Sequence, residues 1–143
     1  MIDILNALAL LANFVIVPAL AYGSQLALGA LGVTMIYAVL RFSNFAHGET
    51  MSFGAMISVL ATWGLQEAGI TIGSLPTALL ALPISIIATV CVCLLFDRLV
   101  YRYYRTQKAA PVTYLIISVG VLFVLSGVIR FIIGPKDQIF ADG

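Results

Sequence analysis

The sequence predicts an all-α fold, a polytopic transmembrane helix bundle of about four to five membrane segments, on three observations. Of 143 residues, 62% are hydrophobic and only 9% charged. The charges are gathered between long runs that contain none. One short stretch then collects most of the basic residues. Soluble domains carry roughly 25% charged residues, because a water-facing surface needs them to stay hydrated. So few charges cannot cover such a surface, whereas lipid already suits apolar side chains.

Ile4 to Leu40, Thr50 to Gln66, Ala68 to Phe96 and Ala109 to Ile129 are free of Asp, Glu, Lys and Arg. A helix needs about 20 apolar residues to cross a hydrocarbon core of about 30 Å. The last two runs are comfortable spans, and Thr50 to Gln66 is near the short limit. The first run would extend roughly 55 Å if wholly helical, too long for one crossing. Pro18 and Gly23-Ser24 mark where it should bend or break. That leaves two spans, near Ile4 to Val17 and Tyr22 to Leu40, or one span with an interfacial lead-in. The shortness of the first piece favours the lead-in. Ala19-Leu20-Ala21 mimics a signal-peptide cleavage site, but Asp3 gives the n-region the wrong charge.

Arg98, Arg102, Arg105 and Lys108 crowd one connection, which the positive-inside rule places in the cytoplasm. Arg98, Arg102 and Arg105 share a helical face, interleaved by Tyr101, Tyr103 and Tyr104 as at headgroup level. A topology signal touching lipid phosphate is the plain interpretation of this cluster, and partner binding the sharper one. The connection from Glu67 to Ser74 then lies outside. Pro111 to Ile133 returns outward, stops at Gly134-Pro135, and leaves the polar tail Lys136 to Gly143 outside. The net charge of +1 offers no footprint for nucleic acid.

Small residues recur at helical spacing. Gly54, Ser58 and Thr62 form one stripe, and Gly23 and Ala27 another, as in helices that approach closely in lipid. Cys91 and Cys93, two apart on a helix, point to nearly opposite sides, so they neither pair nor share a metal. They fit small buried or lipid-facing side chains. No metal site or cofactor is expected. One His and scattered Ser supply no nucleophile, base or metal set for an intramembrane enzyme.

The polar stretch Arg41-Phe42-Ser43-Asn44-Phe45-Ala46-His47-Gly48-Glu49 stands apart, since ionisable groups between apolar helices usually face a bundle interior or water. Asn44 suits the N-cap of a helix beginning at Phe45, where its side-chain oxygen would take an orphan N–H. Asn44 and His47 then lie one turn apart, while Glu49 points away from His47 unless the backbone is broken. A polar cytoplasmic turn with its cap explains the same residues without transport.

The run Asn44-Phe45-Ala46-His47-Gly48-Glu49 resembles a signature of the permease subunits of branched-chain amino acid ABC importers. So do Gly23-Ser24, Ala27-Leu28 and Gly32-Val33-Thr34-Met35-Ile36-Tyr37 upstream. Downstream, Arg98-Leu99-Val100-Tyr101-Arg102-Tyr103-Tyr104-Arg105 is similar to the family's basic cytoplasmic loop, and Leu115 to Gly120 with Gly134-Pro135 to the next helix and its end. The similarity covers roughly Tyr22 to Gly143. It departs at Tyr103, where the family usually has Pro.

The resemblance implies a transporter subunit in a bacterial inner membrane, with residues 1–143 forming one transmembrane permease domain, about the amino-terminal half of a longer permease. It further implies a second permease subunit, cytoplasmic ATP-binding subunits, an extracytoplasmic solute-binding protein and a small solute such as a branched-chain amino acid, urea or an amide. No G-x-x-x-x-G-K-[ST] loop is present, so ATP would be hydrolysed by a partner. The family's later helices and its ATPase-engaging loop have no counterpart here, so the chain is not expected to transport alone. Asn44, His47 and Glu49 become the candidate residues of the solute pathway. A secondary transporter or channel component would instead rely on intramembrane carboxylates, for which Glu49, Asp97 and Glu67 are thin material. A non-transporting structural bundle is the remaining alternative. In sealed cells, an Arg102→Cys variant should resist a membrane-impermeant thiol reagent and react once the membrane is opened. Labelling from outside would reverse the topology.

Overall fold

The computed structural model describes residues 2–70, 76–136 and 138, and within them the chain forms four continuous helices. Helix α1 runs through Ile2–Leu11, a π-helical turn Ala12–Ile16, and Val17–Leu40. Helix α2 is His47–Glu67. Helix α3 runs through Thr77–Phe96, a second π-helical turn Asp97–Tyr101, and Arg102–Thr106. Helix α4 is Pro111–Ile133, with Pro at its start where no N–H is needed.

Helix α1 does not break where the sequence suggested. Asp3–Leu40 is a single helix of 38 residues. Pro18 has no N–H and its ring crowds the carbonyl one turn back. The widened turn Ala12–Ile16 lies immediately before it, and the Val17 N–H there bonds to the Ala12 carbonyl. A π turn relieves the crowding without exposing backbone to lipid. Ser24 donates its hydroxyl to the Ala21 carbonyl at 2.8 Å and stays inside the helical ladder.

The basic stretch also differs from its expected form. Arg98, Arg102 and Arg105 ride on the continuing helix α3, and the connection to α4 is only Gln107 to Ala110. Nothing between Asp97 and Thr106 interrupts a helix, and Tyr103, where the resembling family has Pro, lets it continue. Lys108 makes the turn with φ 51°. All four basic side chains are exposed.

Three stretches, Asp3–Leu40, Thr77–Thr106 and Pro111–Ile133, are long and apolar enough to cross a membrane. With 21 residues, α2 spans about 31 Å. It is the more polar helix, and it packs against each of the other three. Its central place explains that polarity, since α2 meets protein where the others meet lipid. The apolar outer faces are bare: Phe131 is 92% exposed and α1 buries nothing along Val17–Leu40. In water such a surface could not persist, but in hydrocarbon it needs no cover.

Packing inside the bundle relies on small residues. A Cβ on Gly54 would stand 3.1 Å from Thr89 Oγ1, so α2 and α3 approach across a bare backbone. Thr62 and Ser85 are buried, each bonding its hydroxyl to its own helix, to the Ser58 and Leu82 carbonyls. Internal satisfaction removes the cost of burying them. The α2 stripe therefore packs as expected. Gly23 in the other stripe has nothing within 4 Å, and the α1 glycines that meet α2 are Gly29 and Gly32. The apolar core, Ala46, Phe53, Met56, Val121 and Leu125, lies between α2 and α4. Cys91 and Cys93 are free and exposed. The connection through 71–75 and the tail residues 137 and 139–143 lie outside the described residues.

Gly54→Val should destabilise the bundle by about 1–3 kcal/mol, the cost of overpacking a tight contact. Thermal unfolding in detergent would measure it, and adding Thr89→Ala should recover part of the loss. An unchanged midpoint would mean that α2 and α3 do not meet through Gly54.

Candidate functional site

Residues 41–46 join α1 to α2, and the polar signature sits here, at one end of the bundle. Arg41 ends α1 in the left-handed region, φ 58°, with its N–H on the Tyr37 carbonyl. That conformation normally favours Gly. It turns Phe42 inward, where this ring is buried, stacked at 5.1 Å on Tyr114 of α4 and tilted at 6.0 Å to Tyr101 of α3. One aromatic side chain thereby ties the connection to two helices.

The turn's backbone is satisfied by the same neighbours. The Phe45 N–H donates to Ser118 Oγ at 3.2 Å, and Ser118 in turn donates to the Leu115 carbonyl at 2.8 Å. Asn44 Oδ1 accepts from the Ala46 N–H at 3.1 Å and from the Tyr101 hydroxyl at 3.4 Å. Asn44 was expected to cap a helix beginning at Phe45. The helix instead begins at His47 with Ala46 as its N-cap, which carries no side-chain cap bond. Asn44 acts earlier, in an Asx turn onto the Ala46 N–H ahead of the helix, while the Phe45 N–H is taken by Ser118.

A cavity of about 420 Å³ opens beside this turn. It is walled by the last turns of α1 (Ile36, Val39, Leu40), by Phe42 and Asn44, by His47 and Thr50 at the start of α2, by Cys93, Asp97, Tyr101 and Arg105 of α3, and by Tyr114 of α4. Of the candidate pathway and basic residues, Asn44, His47 and Arg105 meet here, together with Cys93, Asp97 and Tyr101. Glu49, part-exposed in the first turn of α2, is not among the lining residues, and neither are Arg98, Arg102 or Lys108. Glu49 at a helix start opposes the positive end of the helix dipole.

Two features could not be found from spacing. His47 turns its imidazole against α1: a Cβ on Gly32 would lie 2.7 Å from His47 Nε2, so only glycine admits the ring there. Nε2 is buried without a hydrogen-bond partner among the described residues. The second is the ion pair of Arg105 Nη2 with Asp97 Oδ2 at 2.8 Å, its side chains 45% and 46% exposed. A lone pair of this exposure contributes at most about 1 kcal/mol to stability. The π turn carries Asp97 at its start and Tyr101 at its end, and both reach the cavity. Tyr114 and Ser118, one turn apart on α4, are the signal sequence inspection could have used for the anchor of this turn.

Gly32→Ala should cost about 1–3 kcal/mol in thermal unfolding, because the imidazole must leave its place against α1. His47→Ala in the same chain should restore most of it. Additive losses in the double variant would separate the two residues.

The sequence profile described as "Branched-chain amino acid transport system / permease component" matches residues 15–140. The chain is 37% identical over 91 residues to the high-affinity branched-chain amino acid transport system permease protein BraD of Pseudomonas aeruginosa, covering 63% of this chain and 29% of that protein. It is 31% identical over 115 residues to the permease protein LivH of the same description from Escherichia coli strain K12, covering 80% of this chain and 36% of that protein. The chain thus spans about a third of the length of the relatives it matches. No solved structure matches it significantly. The extent of the match, over a multi-pass helical membrane protein with its polar signature at one bundle end, assigns the chain to the branched-chain amino acid transport system permease family.

Proposed function

We propose that this chain forms part of the membrane pathway of an ABC importer in a bacterial inner membrane, passing branched-chain amino acids or solutes of similar size toward the cytoplasm. The observation that carries the proposal is the cavity at the Asn44–His47 end of the bundle. Residues from all four helices converge there, and it mixes apolar wall with polar groups, as small-molecule sites do. The exposed basic side chains of α3 lie at the same end, which the positive-inside rule puts on the ATP side. In this arrangement the cavity is the inner part of the route, where solute leaves.

Asn44 holds the shape of the turn through its two accepted hydrogen bonds. His47 contributes a side chain that is both cavity wall and contact with α1. Glu49 acts from outside the wall, on the helix start. Helix α1 touches the remainder only lightly, chiefly through Gly29 against Met51 and Gly32 against His47, so it is the helix best able to shift during alternating access. Energy would come from cytoplasmic ATP-binding subunits. A solute-binding protein would load the outer side, and a second permease chain would complete the path. Residues 1–143 would act as one transmembrane unit of that assembly.

In the assembled importer, His47→Gln should slow uptake of radiolabelled L-leucine about fivefold, the equivalent of roughly 1 kcal/mol from one displaced polar contact. Unchanged rate and affinity would remove His47 from the path. ATP-driven uptake by this chain with only an ATPase and a binding protein would show that no second permease chain is needed.

A further inference from the structure

The ion pair Asp97–Arg105 is poorly explained as a stabilising element. It is half exposed, spans two turns of one helix, and contributes little in that setting. Its position is more informative. Both side chains border the cavity, whose lining also includes Ile36, Val39 and Leu40 of α1 and the Phe42 ring. The pair uses Nη2 of Arg105 and Oδ2 of Asp97. Among the described residues neither side chain makes another side-chain hydrogen bond, and the Tyr101 and Tyr114 phenols lie within electrostatic reach of Asp97 and Arg105.

From this we infer that Asp97 and Arg105 form the recognition element for the two charged groups of a free α-amino acid, with its branched side chain on the Ile36–Leu40 wall. The inference rests on the permease role proposed above and deepens it. An α-amino acid carries its ammonium and carboxylate on one carbon, so the two opposite charges lie about as close together as those of the ion pair. Set head to tail, carboxylate on Arg105 and ammonium on Asp97, the four groups form a closed, neutral ring of charge-assisted hydrogen bonds. Matching both charges matters, because an ion that gives up its partner without gaining another loses a charge-assisted hydrogen bond. Binding a bare amine or a bare acid would leave one partner of the pair unmatched and the site charged. The Tyr101 hydroxyl and Asn44 stand beside the pair as further polar groups. The cavity, at about 420 Å³, is roomy for one such solute and hydration water, as suits a site that releases its ligand.

The test is ligand binding to the native membrane assembly containing this chain, reconstituted in nanodiscs without the solute-binding protein. L-Leucine should bind, and 3-methylbutylamine and 4-methylpentanoate, each lacking one charge, should bind about tenfold or more weakly. Glycine, lacking the apolar side chain, should also bind weakly. Asp97→Asn and Arg105→Gln should each weaken L-leucine about tenfold while the melting midpoint stays within a degree or two of the parent. The analogue series needs no variant and stands even if a substitution impairs folding. Equal affinity for leucine and the two single-charge analogues would overturn the inference. So would leucine affinity that is unchanged in both variants, or absent at millimolar concentration. Uptake of radiolabelled L-leucine by the parent assembly decides the permease reading separately: uptake together with equal affinity for the three ligands would sink this inference alone.

Discussion

Lipid offers no hydrogen bonds, and every feature of this bundle answers to that constraint. It compels the chain into helices. The irregular stretch 41–46 likewise finds partners within the protein. Two of its N–H groups do so through Ser118 and Asn44. The same pressure shapes the π turn before Pro18, where a widened helix is cheaper than a broken one in hydrocarbon.

The turn and the cavity are one construction. Phe42 stacks on Tyr114 and leans on Tyr101, whose hydroxyl bonds Asn44, which fixes the path into α2 and so sets where His47 stands. Each link joins a different helix. A change at Tyr101 or Ser118 would therefore be felt at His47, although neither hydrogen-bonds to it. The asymmetry of the packing adds to this: α2, α3 and α4 make a tight group, and α1 lies against it through two glycines. A firmly built wall beside a loosely held helix would suit the proposed passage, which has to open and close.

Charge is used sparingly and in two separate ways. Arg98, Arg102 and Lys108 stand exposed and outside the cavity lining. Arg105, on the same helix, turns to Asp97 and to the cavity. A basic cluster that reads as one topology signal is thus divided by the geometry of α3, with its π turn at Asp97–Tyr101.

Composition and the charge-free runs were sufficient for the helical membrane fold, because transfer into lipid depends on which side chains are present and hardly on their partners. The order Asn44 to Glu49 likewise pointed to the family and to the place where polar chemistry gathers. Partnerships were decided only in three dimensions. Phe45 bonds Ser118, 73 positions away, and Asn44 forms a turn ahead of a helix that starts at His47. Gly32 is the residue that admits His47, whereas Gly23, equally small, meets open space. Arg105 leaves its basic neighbours for Asp97. Spacing along one helix predicts a face, but what that face meets depends on the phase and tilt of another helix, and local sequence carries neither.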